Sequence, residues 1–108
     1  MARGDYLGEF ELVVMLALAR LHSAYGKTVY QEIERVTGRA DLTIPAVYVT
    51  LNRLEKKGLL QSTVGETTDQ RDGRAKKHYQ LTDDGLRAVK TSRMMLERLF
   101  ADAAEQSA

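Results

Sequence analysis

Residues 43–60 read TIPAVYVTLNRLEKKGLL, and their spacing decides the fold. Thr43, itself a candidate to touch DNA, can cap a helix whose first turn tolerates Pro45. Val47, Leu51 and Leu54 then form an apolar stripe at four- and three-residue steps, and Gly58 supplies a stop. At about 100° per residue, a stripe turned inward sends Ala46, Val49, Thr50 and Arg53 to the opposite side. A merely solvated face favours Glu and Lys over Ala46 and Val49. Small, apolar and cationic side chains are instead the mixture that a DNA major groove accepts. Arg53 can donate two parallel hydrogen bonds to a guanine edge, while Ala46, Val49 or the Thr50 methyl can touch a thymine methyl. Tyr48, Lys56 and Lys57 lie toward the flanks, where they suit phosphate contacts that anchor without reading sequence.

Upstream, GEFELVVMLALARLHSAYG places Phe10, Val13, Val14, Ala17, Leu18 and Leu21 at helical period, which predicts a helix from about Gly8 to His22. TVYQEIERVTGR gives a short second helix with Val29, Ile33 and Val36 on its apolar side and Gly38 at its end. Downstream, LLQSTVGET and KKHYQLT are rich in branched and aromatic residues and flank a polar TDQRDGRA stretch, which predicts a β-hairpin with a charged tip turning at Gly73. Thr82 then opens a last helix to about Ala104, with Asp83 and Asp84 at its positive end. Three helices, a hairpin and a helix make a mainly α chain with a β-hairpin (α+β). This is the order of a winged helix-turn-helix, in which the hairpin extends the surface offered to nucleic acid. Residues 1–81 are expected to form a DNA-binding domain, and residues 82–108 a dimerisation helix packed on it.

Composition agrees and excludes much else. The 108 residues suffice for one core. The formal charge is only +1, but residues 53–77 hold seven basic and four acidic side chains, so the middle of the chain is its electropositive part. Arg71, Arg74, Lys76 and Lys77 fall where a wing would meet the minor groove or backbone, with Asp69 and Asp72 diluting the patch. Without cysteine there is no disulfide, thiolate metal site or thiol sensor. The longest apolar run, Leu12 to Ala19, is too short to span a bilayer. Asp5, Glu9 and Glu11 stand where a signal peptide would need basic and apolar residues, so a cytoplasmic protein with no membrane partner is expected. His22 and His78 have no companion ligands, and no phosphate loop, nucleophile elbow or catalytic cluster is present. No metal, cofactor or enzymatic activity is expected.

The strings GEFELVVMLAL, AYGKTVYQEIE, AVYVTLNRLEKKGLL and GRAKKHYQLTDDG, in this order and spacing, resemble the PadR transcriptional regulators over nearly the whole chain. The resemblance implies a dimeric winged-helix repressor on a partly palindromic operator. The third helix would read DNA, and Tyr48, Arg53 and the basic wing would match the family's DNA-facing positions. Pro45 and Val49 depart from the family, which often has a small residue and a proline there.

On the last helix, Leu86, Val89, Leu96, Phe100 and Ala103 follow three- and four-residue steps, interrupted by Arg93 and widened by Met95 and Leu99. With Phe10 on helix one, Leu86, Val89, Leu96, Leu99 and Phe100 are the expected seam with a second copy. A two-fold dimer would hold its reading helices about 34 Å apart, matching half-sites one turn of DNA apart or a multiple of that. Small members of the family resemble this chain in having one C-terminal helix, and they hold flat aromatic compounds stacked on tryptophan. This chain has no tryptophan, but Met15, Met94, Met95 and Phe100 are candidates to line a cavity for a small apolar effector. The alternative is a winged-helix module that binds protein and not DNA.

Overall fold

A computed structural model describes residues 7–69 and 74–107 of the chain. The order is α1 (Glu9–Leu21), β1 (Ala24–Tyr25), α2 (Gly26–Thr37), α3 (Ile44–Lys56), β2 (Leu60–Asp69), β3 (Arg74–Leu81) and α4 (Asp83–Ser107). This is the α+β winged helix that the sequence predicts, with one element more. The two-residue β1 pairs antiparallel with β3, Ala24 opposite Tyr79 and Tyr25 opposite His78, so the hairpin becomes a sheet of order β1-β3-β2. So short a strand has no pattern of its own, and its partner lies more than fifty residues away.

Each helix contributes a stripe to one core. Val14, Met15, Ala17 and Leu18 of α1 meet Val29 and Ile33 of α2 and Val47, Leu51 and Leu54 of α3, while Leu59, Leu60 and Tyr79 close the core from the hairpin side. Val36, expected on the α2 stripe, is exposed, because the stripe ends with Ile33. Between α1 and β1, His22 adopts φ 67° and ψ −54° while the Ser23 N–H donates to the Leu21 carbonyl at 2.8 Å. That is a γ-turn, a tight reversal which delivers β1 directly from the end of α1.

The end of α3 fixes where the wing begins. Gly58, at φ 80°, takes the left-handed conformation that an L side chain resists. There the Gly58 N–H donates to the Glu55 carbonyl (2.9 Å) and the Leu59 N–H to the Leu54 carbonyl (3.0 Å), satisfying carbonyls that the helix end leaves open. Thr82 returns the chain to the same spot. Its N–H donates to the Leu59 carbonyl (3.1 Å), its hydroxyl to the Gly58 carbonyl (2.7 Å), and its Oγ1 accepts from the Gly85 N–H (3.1 Å) to cap α4.

The first turns of α4 pack on α1 through Ala88, Val89 and Ser92, whose Oγ accepts from the Leu7 N–H at 3.4 Å. Beyond Ser92 every side chain described on α4 is exposed. The molecule measures 56 × 32 × 19 Å, and its 15.6 Å radius of gyration exceeds the roughly 13 Å of a compact chain this long. Two expectations, for Val89 and Met15, are corrected by this packing. Val89 is only 9% exposed and belongs to the chain's own core, so it is not free to form a seam. Phe10 is half-buried against that core, with the Arg39 guanidinium 5.4 Å from its ring centre. Met15 is fully buried beside Gly85 and cannot share a cavity wall with the exposed Met94, Met95 and Phe100.

Candidate nucleic-acid interface

Helix α3 begins where Thr43, in extended conformation, accepts a hydrogen bond from the Ala46 N–H at 3.2 Å. The hydroxyl expected to touch DNA therefore serves as an N-cap. Val47, Leu51 and Leu54 are fully buried, and Ala46, Tyr48, Val49, Arg53 and Lys56 are exposed, Tyr48 by 40% and Val49 by 55%. Thr50 is a correction: it is 5% exposed and lies in the core-facing stripe. Positions 47, 50, 51 and 54 follow the i, i+3, i+4, i+7 rule, so the helical period carries Thr50 inward despite its hydroxyl. Two positions that sequence reading passed over belong to the open face. Asn52 is exposed one turn beyond Val49, and Pro45 is exposed one turn before it. The same periodicity that selected Val49 could have found both.

Tyr48 leans on α2. A β-carbon at Gly26 would lie 2.6 Å from Tyr48 Cζ, so only glycine leaves room for the ring across the start of that helix. Lys27, the next residue, is exposed beside the N-terminal amides of α2 and went unnoticed because nothing in its local sequence distinguishes it.

The flanking cations divide. Lys57 is exposed, with its ammonium 2.8 Å from Glu11 Oε2 on α1. Burial pushes the Glu11 carboxyl up, but hydrogen bonds from Lys57 and the Gly8 N–H, with Lys57 and Arg53 nearby, outweigh it and hold the group below the ordinary carboxylate range. Lys56 remains exposed. On the wing, Lys77 is exposed with its ammonium 4.0 Å from Glu55 Oε1. The side chains of Arg74 and Lys76, and all of Arg71, Asp72 and Gly73, lie outside the described residues.

Among the described residues no group of three or more His, Cys, Asp or Glu is placed to hold a metal ion, and no helix is long and apolar enough to cross a membrane. His78 packs edge-on against Tyr25, ring centres 3.8 Å apart, with Nδ1 3.2 Å from Ser23 Oγ.

Solved structures share this architecture. A PadR-like transcription factor from Bacteroides fragilis is similar with a TM-score of 0.75 at 24% identity, covering 92% of this chain and 89% of that one. A PadR family transcriptional regulator from Eggerthella lenta is similar with a TM-score of 0.71 at 26% identity, over 91% and 85%. BpsR of Bordetella bronchiseptica, whose DNA binding is regulated by 6-hydroxynicotinic acid, shares the fold with a TM-score of 0.69 at 20% identity, over 94% and 67%. No curated protein matches the sequence. Residues 15–91, from the middle of α1 to the middle of α4, match the transcriptional regulator PadR-like family, and since they include α3, the hairpin and the joint between them, the chain belongs to that family of regulators and not to a family of enzymes.

Proposed function

We propose that this chain is a sequence-specific double-stranded DNA-binding repressor that holds a palindromic operator as a homodimer. The observation that carries the reading is the outer face of α3, where Ala46, Val49, Asn52 and Arg53 stand exposed above a fully buried Val47, Leu51 and Leu54. Such a face meets the donors, acceptors and methyl groups of a major groove, with Arg53 on guanine and Asn52 on adenine as the geometrically suited pairs. Lys56, Lys27, Tyr48 and the wing's Lys77 would bind phosphates, with Arg74 and Lys76 continuing the wing's contribution.

Residues 1–81 then act as the DNA-binding unit and α4 as the dimerisation helix. Pairing is supported by Met94, Met95, Leu96, Leu99 and Phe100, exposed together on a helix that leaves the body of the molecule, with Leu86 exposed nearer its start. Two copies would cover that surface. Met94, Met95 and Phe100 would also line any space left between them, which is where a small apolar effector fits. Regulation of BpsR by 6-hydroxynicotinic acid supports an effector of that size.

The test is selection from a random-sequence duplex library, followed by affinity measured against salt. Recovery of a two-fold symmetric motif, bound with an affinity that falls steeply as salt rises, is the expected result. Association with a protein, insensitive to salt, with no duplex recovered would overturn the reading in favour of a protein-binding module.

A further inference from the structure

We propose that Glu55 is a positioning residue of the DNA-binding surface, its carboxylate fastening both strands of the wing to the last turn of α3 so that wing and reading face meet a duplex in one fixed orientation. The inference rests on the DNA-binding reading above and adds to it how the two halves of the surface are held together.

Glu55 is the one acidic residue in α3, within the most basic part of the sequence. A carboxylate on a surface meant for a polyanion opposes binding by simple repulsion. This one is half-buried and engaged on both oxygens. Ser62 of β2 donates its hydroxyl hydrogen bond to Oε2, and the Lys77 ammonium of β3 stands 4.0 Å from Oε1. Sheet register explains why both reach it. Ser62 pairs with Tyr79 and Val64 with Lys77, so Ser62, Lys77 and Tyr79 share the face of the hairpin turned toward α3.

A second tie lies one turn earlier on the helix, where the Tyr79 hydroxyl donates to Asn52 Oδ1 at 3.3 Å. Burial, with the Glu55 carboxylate nearby, holds the Tyr79 phenol pKa above its ordinary range, so the hydroxyl that donates to Asn52 stays protonated. The two ties differ in kind. Tyr79 is a core residue and cannot leave, whereas Glu55 grips the hairpin just before its pairing becomes irregular between Val64 and Thr68. The latch therefore holds the last regularly paired part of the hairpin against α3. A surface ordered before binding pays less to be ordered on binding, and the gain applies only to the duplex that fits the fixed arrangement.

The charge supplies a discriminating sign. If Glu55 only repelled DNA, removing it would tighten binding to every duplex. If it positions the wing, removal costs discrimination. In the full chain, Glu55→Ala and Glu55→Gln are compared with wild type on a duplex that wild type selects from a random library and on a shuffled duplex of the same length. The expected result for Glu55→Ala is a fall of about tenfold in the ratio of selected to shuffled affinity, from the lost hydrogen bond to a charged group. Glu55→Gln still accepts from Ser62 and should keep the ratio within about threefold of wild type. Ser62→Ala, which removes the same bond with the loss of one small, half-buried hydroxyl, should reproduce the Glu55→Ala fall and carries the test if Glu55→Ala does not fold. An unchanged ratio in the alanine variants, or equal losses in Glu55→Ala and Glu55→Gln, overturns the positioning role while the DNA-binding reading stands. A wild-type chain that selects no duplex overturns both.

Discussion

The ring of Tyr48 fills the space that a side chain at Gly26 would occupy, with Cζ only 2.6 Å from where that β-carbon would stand. Helix α3 thus touches the first turn of α2 through an aromatic residue that is still 40% exposed. Gly26→Ala should leave stability within about 1 kcal/mol, because an exposed ring can swing aside and alanine favours helices. It should nonetheless weaken operator binding by about 1 kcal/mol by displacing Tyr48 from the DNA-facing surface. A double-mutant cycle checks the cause: in a Tyr48→Ala background the Gly26→Ala change should have no further effect on affinity.

Arg53→Ala should weaken binding to the selected duplex by about 1–3 kcal/mol and relax selectivity at one base pair of each half-site. Thr50→Val should leave affinity within about twofold, since Thr50 faces the core and not the groove. Gel-shift titrations against a set of single-base variants of the duplex measure both. Unaltered preference in Arg53→Ala would move the reading face elsewhere.

Gly85→Ala addresses the joint between wing and last helix. An added β-carbon would press onto the Leu59 carbonyl oxygen, lie 3.1 Å from its carbon, and stand 3.2 Å from Met15 Cε. Backbone cannot rotate away as Tyr48 can. The expected loss is about 1–3 kcal/mol or more, read as a lower urea midpoint with unchanged slope. A midpoint equal to wild type would mean that α4 does not seat on Leu59.

Leu99→Glu tests pairing through α4 without harming the single chain, because Leu99 is 60% exposed there. Burying a carboxylate at an apolar seam is costly, so if the wild type pairs as proposed, sedimentation should show the variant as monomer where the wild type is dimer, and the dependence of melting temperature on concentration should vanish. A variant that still sediments as a dimer would place the seam elsewhere. Phe100, 73% exposed one residue on, offers an independent check by Phe100→Glu.

How much of this was legible beforehand follows from how far apart the determining residues lie. The α3 stripe, its Thr43 cap and its Gly58 stop are set within thirteen to sixteen consecutive residues, and the helix stands where periodicity predicts it. Thr50 is the exception: grouped with Ala46, Val49 and Arg53 on the outward side, it falls at 100° per residue with Val47, Leu51 and Leu54 and is buried. Asn52 was overlooked although the spacing exposes it.

Other features were out of reach of any local pattern. The hydrogen bond from the Lys57 ammonium to Glu11 joins residues forty-six positions apart. Val89 and Met15 read as seam and pocket residues until α1 and α4 cross, which puts both in one core. The strand Ala24–Tyr25 exists only because β3 lies beside it. The sequence by itself determined which segments coil, which extend and which face of α3 is apolar, since backbone period and side-chain polarity are properties of neighbouring residues. Only the tertiary structure decided which charges are already engaged, which apolar residues remain uncovered on α4, and that Glu55 joins the wing to the helix. Those outcomes depend on which distant surfaces meet, and burial and Coulomb energy are fixed only when they do.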